Sequence, residues 1–281
     1  MQVIDTVAEW RKALDAERSG GRTVGLVPTM GALHEGHAAL VDRAAAECDV
    51  VGVTVFVNPL QFGEGEDLAS YPRSLEADVE LAASHGATYV FAPPAAEMYP
   101  GGRIETVVRV PELAARWDGQ SRPGHFDGVA TVVTKLFAQA GPGRAYFGEK
   151  DYQQLCIVRR LAADLDLPIE VVGCPTMREA DGLALSSRNA YLTPGERAIA
   201  PRLFTALARG ADVLAAGGEP AEARLAMIAA ADGLDVIYAE PVDPRSLEPL
   251  ETALAPGGCA RLLIAARLGR TRLIDNLGVT R

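Results

Sequence analysis

The sequence lacks the residues and segments that mark secreted, disulfide-rich or membrane-spanning proteins. Its 281 residues include 4 cysteines, Cys48, Cys156, Cys174 and Cys259, and no CxxC pair. No basic and then apolar leader opens the chain, and no apolar run reaches the roughly 20 residues that span a bilayer. We therefore expect a cytoplasmic protein, because scattered cysteines are typical of a reducing compartment, and we expect no membrane partner.

Positive charge is also scarce. The 27 Lys and Arg residues are outnumbered by 37 Asp and Glu residues, which gives a net charge of −10. Nucleic-acid binding depends on neutralising many phosphates with Lys and Arg, so a nucleic-acid partner is disfavoured. Any anionic ligand must instead meet a local positive pocket. With 48% hydrophobic and 23% charged residues, the composition indicates an ordinary globular protein of one large or two modest domains.

Short apolar strands alternate with helical segments over the first two-thirds of the chain. We predict strands at 24–27, 50–57, 88–91, 144–147 and 169–172, and helices at about 36–47, 74–84, 126–139 and 151–164. Continuous apolar strands in this order are typical of a parallel sheet with helices on both faces. We predict an α/β fold, with a doubly wound, Rossmann-like parallel sheet in a domain of residues 1–176.

The character of the sequence changes after about residue 176. Ala-rich helices are predicted at 194–216 and 220–231, and strand-like runs at 236–239, 261–266 and 271–274. Gly-Gly pairs separate these elements as turns. We therefore predict a smaller C-terminal α+β domain, residues 177–281, which acts as a lid.

Two histidines follow the first strand in the segment PTMGALHEGH, residues 28–37. In an open parallel sheet, ligands bind outside the carboxyl ends of the strands, and a helix N-terminus there attracts phosphate. His34 and His37 lie three residues apart, so they share one side of the first helical turn and can donate to phosphoryl oxygens. A zinc site is disfavoured, because His-Glu-x-His is one residue short of the HExxH spacing.

Three further segments carry polar residues at strand ends or domain boundaries. In FGEKDYQQ, residues 147–154, Lys150 can neutralise phosphate and Asp151 can accept from ribose, although a plain polar helix start fits equally well. In READGLALSSRN, residues 178–189, two serines and Arg188 can hold a triphosphate, although a solvated linker would contain the same residues. In FVNPLQFG, residues 56–63, two amides are suited to a small polar substrate.

The segments PTMGALHEGH, FVNPLQFG, YPRS, GHFDGVATVV, FGEKDYQQL, READGLALSSRNAYL and TRLIDN occur in this order between about residues 24 and 276. Together they resemble the pantothenate synthetase family, which is similar to the H-x-G-H nucleotidylyltransferases. The resemblance implies ATP-dependent condensation of pantoate with β-alanine to pantothenate, AMP and pyrophosphate. It also implies a pantoyl adenylate intermediate, Mg²⁺ as cofactor and a homodimer.

The resemblance also implies roles for individual residues. The ATP-binding residues would be Met30, His34, His37, Gly148, Lys150, Asp151, Met177, Leu185, Ser186, Ser187 and Arg188. Of these, His34, His37, Lys150 and Arg188 would be catalytic. The pantoate-binding residues would be Gln61 and Gln154, with Asn58, Arg122 and Tyr71 nearby. Asp78 could help to hold a metal through phosphates, although a solvated helix carboxylate is the commoner case. Leu185 stands where the family usually has Met, a nearly volume-conserving change.

Two other functions fit the same residues less well. A nucleotidylyltransferase would release a nucleotidylated product and would need no β-alanine. A nucleotide-binding regulatory module would keep the pocket without chemistry, but such a site would be expected to have lost some of its charged and histidine side chains. No Ser-His-Asp or Cys-His arrangement is found, as expected when catalysis rests on positioning and on stabilising phosphoryl charge.

Overall fold

The computed structural model describes residues 1–63, 68, 71, 73–102 and 104–281. Within these residues, the strands are β1 (Gln2–Ile4), β2 (Val24–Thr29), β3 (Val50–Val55), β4 (Tyr89–Phe91), β5 (Gly143–Gly148), β6 (Ile169–Cys174), β7 (Asp235–Val242), β8 (Cys259–Leu268) and β9 (Thr271–Thr280). The helices are α1 (Val7–Ser19), α2 (Glu35–Glu47), α3 (Leu75–Ser84), α4 (Ala95–Met98), α5 (Pro111–Ala114), α6 (Trp117–Ser121), α7 (His125–Ala140), α8 (Tyr152–Asp164), α9 (Pro194–Ile199), α10 (Arg202–Ala215) and α11 (Pro220–Ala230). None of the described helices is long and apolar enough to cross a membrane.

The chain divides into two compact units. The first consists of Met1–Glu149 and Gln153–Pro175, and the second of Lys150–Tyr152 and Thr176–Arg281. The short segment Lys150–Tyr152 therefore packs with the second unit, although the residues before and after it in the chain pack with the first.

A parallel sheet forms the centre of the first unit. In the described residues its strand order is β1-β4-β3-β2-β5-β6, and every neighbouring pair is parallel. The central strands are buried because apolar residues occupy consecutive positions; in β3, Val50–Val53 are all buried. This arrangement confirms the predicted doubly wound α/β class.

Helices pack on the sheet through small residues. On β3, Gly52 allows close approach of the Trp10 indole from α1: a Cβ at Gly52 would lie 2.4 Å from Trp10 Cη2. The Trp10 ring also stacks on Phe91 of β4, with 5.0 Å between the ring centroids. An apolar cluster from α2, α3 and the central strands includes Val41, Val53 and Val90. Tight apolar packing of α1, α2 and α3 thus fixes the central strands of the sheet.

The strand order reverses between β2 and β5. The chain leaves β2 towards β3 and β4 on one side, and it uses β5 and β6 on the other. At such a switch point the connections that follow the two central strands diverge and leave a crevice at the carboxyl ends, where ligands bind in open α/β sheets. The residues that follow Thr29 of β2 and those that follow Gly148 of β5 are therefore the ones in position to hold a ligand.

The second unit contains the antiparallel sheet β7-β8-β9 in its described residues. Helices α10 and α11 supply its apolar core, with Leu207, Leu214 and Met227 fully buried. The predicted helix 194–216 is in fact two helices, α9 and α10, separated near Pro201. Proline has no N–H to continue the α-helical hydrogen bonds, which accounts for the interruption.

Candidate active site

The loop between β2 and α2 has an unusual backbone conformation. Gly31 and Ala32 have positive φ angles of 84° and 51°, and such angles are costly for a residue with a Cβ. A Cβ at Gly31 would lie 2.9 Å from Asp78 Oδ2, so glycine is required here for close approach as well. The loop must therefore be held in place by its surroundings.

Asp78 of α3 holds this loop. Its Oδ2 accepts from the Ala32 N–H at 3.1 Å and its Oδ1 accepts from the Leu33 N–H at 2.7 Å. The side chain is buried, with an exposed fraction of 3%. Charge-assisted bonds of this kind are stronger than those between neutral groups, and they fix the segment that leads directly to His34.

His34 and His37 form a reciprocal cap at the start of α2. The His34 Nδ1 accepts from the Gly36 N–H at 3.1 Å, and the His37 Nδ1 accepts from the His34 N–H at 3.3 Å. The two ring centroids are 4.2 Å apart. Because each Nδ1 acts as an acceptor, each neutral ring carries its proton on Nε2. The cap therefore sets the tautomer that makes both Nε2 atoms donors.

Asn58 and Gln61 lie beyond the carboxyl end of β3 and are joined by a hydrogen bond. Asn58 Nδ2 donates to Gln61 Oε1 at 3.0 Å and to the Gly128 carbonyl at 3.1 Å. Asn58 Oδ1 accepts from the Tyr99 hydroxyl at 2.6 Å, and burial raises the pKa of Tyr99, so the hydroxyl remains a donor. With Oε1 occupied, the Gln61 amide presents its Nε2 donors, one of which contacts Met30 Sδ at 2.8 Å.

Arg122 and His125 approach the backbone of the same segment. His125 Nδ1 donates to the Gln61 carbonyl at 2.8 Å, and Arg122 Nη1 donates to His125 Nε2 at 2.8 Å. Tyr71 is buried and meets Phe62 edge to face, with ring centroids 5.9 Å apart. Arg122 Nη2 also donates directly to the Gln61 carbonyl at 3.5 Å, so Arg122 and His125 together hold the Gln61 segment.

Gln153, rather than Gln154, is the buried glutamine of the FGEKDYQQ segment. Gln153 Nε2 donates to the carbonyls of Leu113 and Arg116 at 2.7 and 2.8 Å, and its Oε1 accepts from the Asp118 N–H at 3.0 Å. It thereby holds α5 and α6, the segment that precedes Arg122. Gln154 is half-buried on α8 and is not occupied by any of these bonds. Its place beside a fully satisfied glutamine is compatible with a substrate-facing role.

Lys150 lies in a 3-10 helix, Glu149–Asp151, that directly follows Gly148 of β5. Its Nζ is 3.4 Å from Asp151 Oδ1, and 19% of its side chain is exposed. Asp151 itself is exposed. A partly sheltered ammonium group beside a single carboxylate retains donors for an anionic ligand.

The predicted triphosphate loop is an ordered turn in the second unit. Leu185 N–H donates to the Met177 carbonyl at 2.9 Å, which joins the two ends of the turn between these residues. The Ser186 hydroxyl accepts from the Arg188 N–H at 3.3 Å and caps the 3-10 helix Ser187–Tyr191. Asn189 Nδ2 closes the turn on the Ala184 carbonyl at 3.1 Å. The loop therefore has a defined backbone conformation over Ser186, Ser187 and Arg188.

Asp78, the residue considered for metal binding, uses both of its carboxylate oxygens within the protein. Both of its oxygens accept from the backbone N–H groups of the histidine loop, and its burial leaves little access. Over the described ranges, no group of three His, Cys, Asp or Glu residues is placed to hold a metal ion. The pair His34 and His37 likewise uses its Nδ1 atoms on backbone N–H groups.

Known proteins resemble this chain over its whole length. Residues 2–278 match the model of the family described as pantoate-beta-alanine ligase. The pantothenate synthetase of Rhizorhabdus wittichii is 53% identical over 99% of both chains, and that of Pseudomonas savastanoi is 49% identical over 100% of both.

Solved structures agree with these relatives. The pantothenate synthetase of Thermus thermophilus is 51% identical, with a TM-score of 0.93 and complete coverage of both chains. A pantoate-beta-alanine ligase of Francisella tularensis, described as complexed with beta-gamma ATP and beta-alanine, is 33% identical with a TM-score of 0.81, over 99% of this chain and 97% of that one. This chain therefore belongs to the pantoate–β-alanine ligase family.

Proposed function

We propose that this protein condenses pantoate with β-alanine at the expense of ATP, releasing pantothenate, AMP and pyrophosphate. The observation that carries the proposal is the His34–His37 cap at the N-terminus of α2, the helix that follows β2 at the switch point of the sheet. A helix N-terminus with additional hydrogen-bond donors is suited to binding phosphate. The identity of the substrates is inferred from family membership.

The reaction proceeds in two steps through pantoyl adenylate. A carboxylate oxygen of pantoate attacks the α-phosphorus of ATP, and the bond to the pyrophosphate oxygen breaks. The β-alanine amine then attacks the acyl carbon and loses a proton to solvent, and AMP leaves with the bonding electrons. No protein nucleophile takes part, so the chain contributes positioning and stabilisation of charge on phosphoryl oxygens.

The residues divide between nucleotide and acid. We assign His34, His37 and the Met30 backbone to the phosphates of ATP. We assign Lys150, Ser186, Ser187 and Arg188 to the triphosphate, with backbone groups of Met177 and Leu185, and Gly148 and Asp151 to the ribose. Gln61 donates its Nε2 hydrogens to pantoate, with the sulfur contact to Met30 given up for a better oxygen acceptor.

Gln154 binds pantoate with Gln61, and Arg122 and Tyr71 lie near the acid. Asn58 acts on pantoate through Gln61, whose amide orientation it sets. Residues 1–176 are the ATP- and pantoate-binding domain in this proposal, and residues 177–281 are the lid.

We place Mg²⁺ on the phosphates of ATP, because Mg²⁺ binds substrate phosphates and keeps several of its waters. Bound there, it would neutralise phosphate charge, and we assign no residue of this chain to hold it. The cysteines are free thiols, which supports a cytoplasmic location. A homodimer completes the proposal, on the strength of family membership.

The test measures AMP and ATP–pyrophosphate exchange while omitting each substrate in turn. We expect net AMP to require pantoate, ATP and β-alanine, and exchange to require pantoate but not β-alanine. If exchange also required β-alanine, the adenylate route would be wrong. Sustained AMP or nucleotidylated product without β-alanine would instead identify a nucleotidylyltransferase.

A further inference from the structure

Asp275 and Asn276 are buried polar residues in the middle of β9, with exposed fractions of 4% and 3%. They belong to the TRLIDN segment, to which the proposed function assigns no role. In a small apolar core, a buried carboxylate and a buried amide are costly unless their bonds are satisfied. Their partners therefore indicate what they are for.

Asp275 holds the start of the triphosphate loop. Its two oxygens accept a bidentate pair from Arg178 Nη1 and Nη2 at 2.6 and 2.9 Å. The same guanidinium donates to the Gly182 carbonyl at 3.0 Å and lies over the Phe204 ring, 4.2 Å from its centroid. Gly182 has a φ of 95° and is packed against Phe204. The turn that leads to Ser186 is thus fixed to β9 through one arginine.

Asn276 holds the Lys150 segment. Its Nδ2 donates to the Lys150 carbonyl at 2.8 Å, and its Oδ1 accepts from Arg261 Nε at 2.6 Å. Arg261 also covers the Tyr152 ring at 4.0 Å, and the Tyr152 hydroxyl donates to the Pro244 carbonyl at 3.0 Å. Because Arg261 occupies the oxygen, the amide can only present nitrogen to Lys150.

We propose that Asp275 and Asn276 are positioning residues for ATP. Asn276 fixes the backbone of Lys150, and Asp275, through Arg178, fixes the segment that leads into the Ser186–Arg188 turn, so that one strand determines the positions of both segments. The two segments are far apart in the chain, and both are assigned to ATP by the proposed function, on which this inference rests. A displacement of either segment moves a phosphate donor, and small displacements of such groups have large effects on rate.

Asn276→Asp is the decisive variant, because it keeps the shape and the contact with Arg261 but turns an oxygen towards the Lys150 carbonyl. We expect the KM for ATP in pantoyl adenylate formation to rise about tenfold, as for one lost hydrogen bond, with the KM for pantoate little changed. Leu273→Ala, a core truncation on the same strand, serves as the control for lost stability and should leave the KM for ATP unchanged.

A double-mutant cycle separates positioning from a general structural effect. Asn276→Asp acts partly through Lys150. The double variant Asn276→Asp/Lys150→Ala should therefore raise the KM for ATP by less than the product of the increases in the two single variants. If the aspartate variant does not fold, Asn276→Ala removes the same bond without added charge and is measured instead.

The outcomes distinguish this inference from the proposed function. The inference is overturned, and the proposed function left intact, if the wild type is active but the Asn276 variant has an unchanged KM for ATP. The same holds if the effects of the two substitutions in the cycle simply multiply. An equal rise in the KM for ATP in Leu273→Ala would also overturn it. A wild type that makes no adenylate from pantoate and ATP refutes the proposed function, and the inference falls with it.

Discussion

Replacing Asp78 by asparagine should misplace the histidine loop. The carboxylate accepts from two consecutive backbone N–H groups, those of Ala32 and Leu33, at 3.1 and 2.7 Å. Asparagine keeps one acceptor oxygen but turns an NH₂ group towards the other N–H. One of the two backbone donors is then left without an acceptor in a buried position, next to residues with positive φ.

The magnitude follows from these contacts. Losing one hydrogen bond to a charged acceptor costs about 1.5–3 kcal/mol. For a protein of this size, that corresponds to a fall in Tm of roughly 3–12 °C. His34 is the next residue after the second bond, so its Nε2 moves with the loop. A displacement of about 1 Å can reduce the rate about 10²-fold, and we expect adenylate formation to slow by about 10- to 10²-fold.

The assay combines thermal unfolding with single-turnover formation of pantoyl adenylate at several Mg²⁺ concentrations. Glu76→Gln, which changes an exposed carboxylate in the first turn of the same helix, should change neither quantity. The loop-holding role is wrong if Asp78→Asn unfolds at the wild-type temperature. A variant whose rate recovers fully at high Mg²⁺ would show that Asp78 binds metal after all.

Four further variants test separate parts of the structure. His37→Ala should slow adenylate formation by about 10² to 10³, as for the loss of one preorganised donor, while supplied adenylate reacts with β-alanine nearly normally; equal losses in both steps would refute the assignment. Lys150→Ala should weaken ATP binding without a large change in Tm, whereas Lys12→Ala, a change at an exposed lysine, should alter neither ATP binding nor Tm. If Lys150→Ala has a low Tm but normal turnover, Lys150 has a structural role instead. Gln154→Ala should narrow the rate ratio between pantoate and its analogue without the 2-hydroxyl, with ATP binding unchanged; full discrimination in the variant would place Gln154 elsewhere. Burial raises the pKa of Glu240 above its ordinary value of 4.5, so the folded state binds this proton more tightly than the unfolded state does. The free energy of unfolding should therefore fall as the pH rises past 4.5, and Glu240→Gln should remove this fall. The argument is wrong if the wild type and Glu240→Gln show parallel curves of unfolding free energy against pH.

The sheet could be predicted because its strands are continuous apolar runs. Val50–Val53 are buried on both faces, and no polar residue interrupts them, so the sequence alone indicates a parallel strand. The strand Gln2–Ile4 and the helix Val7–Ser19 were not predicted. The strand is only three residues long, and the helix buries just Trp10 and Leu14, so neither produces a strong hydrophobic pattern.

For the candidate site, the sequence indicates residue types but not the contacts that position them. Histidine, lysine and serine motifs at strand ends indicate phosphate binding, because that edge of a parallel sheet collects them. The residues that hold the motifs in place could not be found in this way. Asp78, Gln153 and Asn276 act through backbone groups 35 to 126 residues away in the chain, and a buried side chain bonded to a distant backbone group leaves no local pattern.

The segment Lys150–Tyr152 belongs to the second compact unit but is surrounded in the chain by the first. During synthesis it leaves the ribosome well before residues 244, 261 and 276, which provide its contacts. Domains fold as units while translation continues, so the parallel sheet can form before the Lys150 carbonyl receives its bond from Asn276. A chain that is stalled or cleaved before residue 276 therefore carries the histidine loop in place but Lys150 unanchored, and such fragments should neither sequester ATP nor release adenylate.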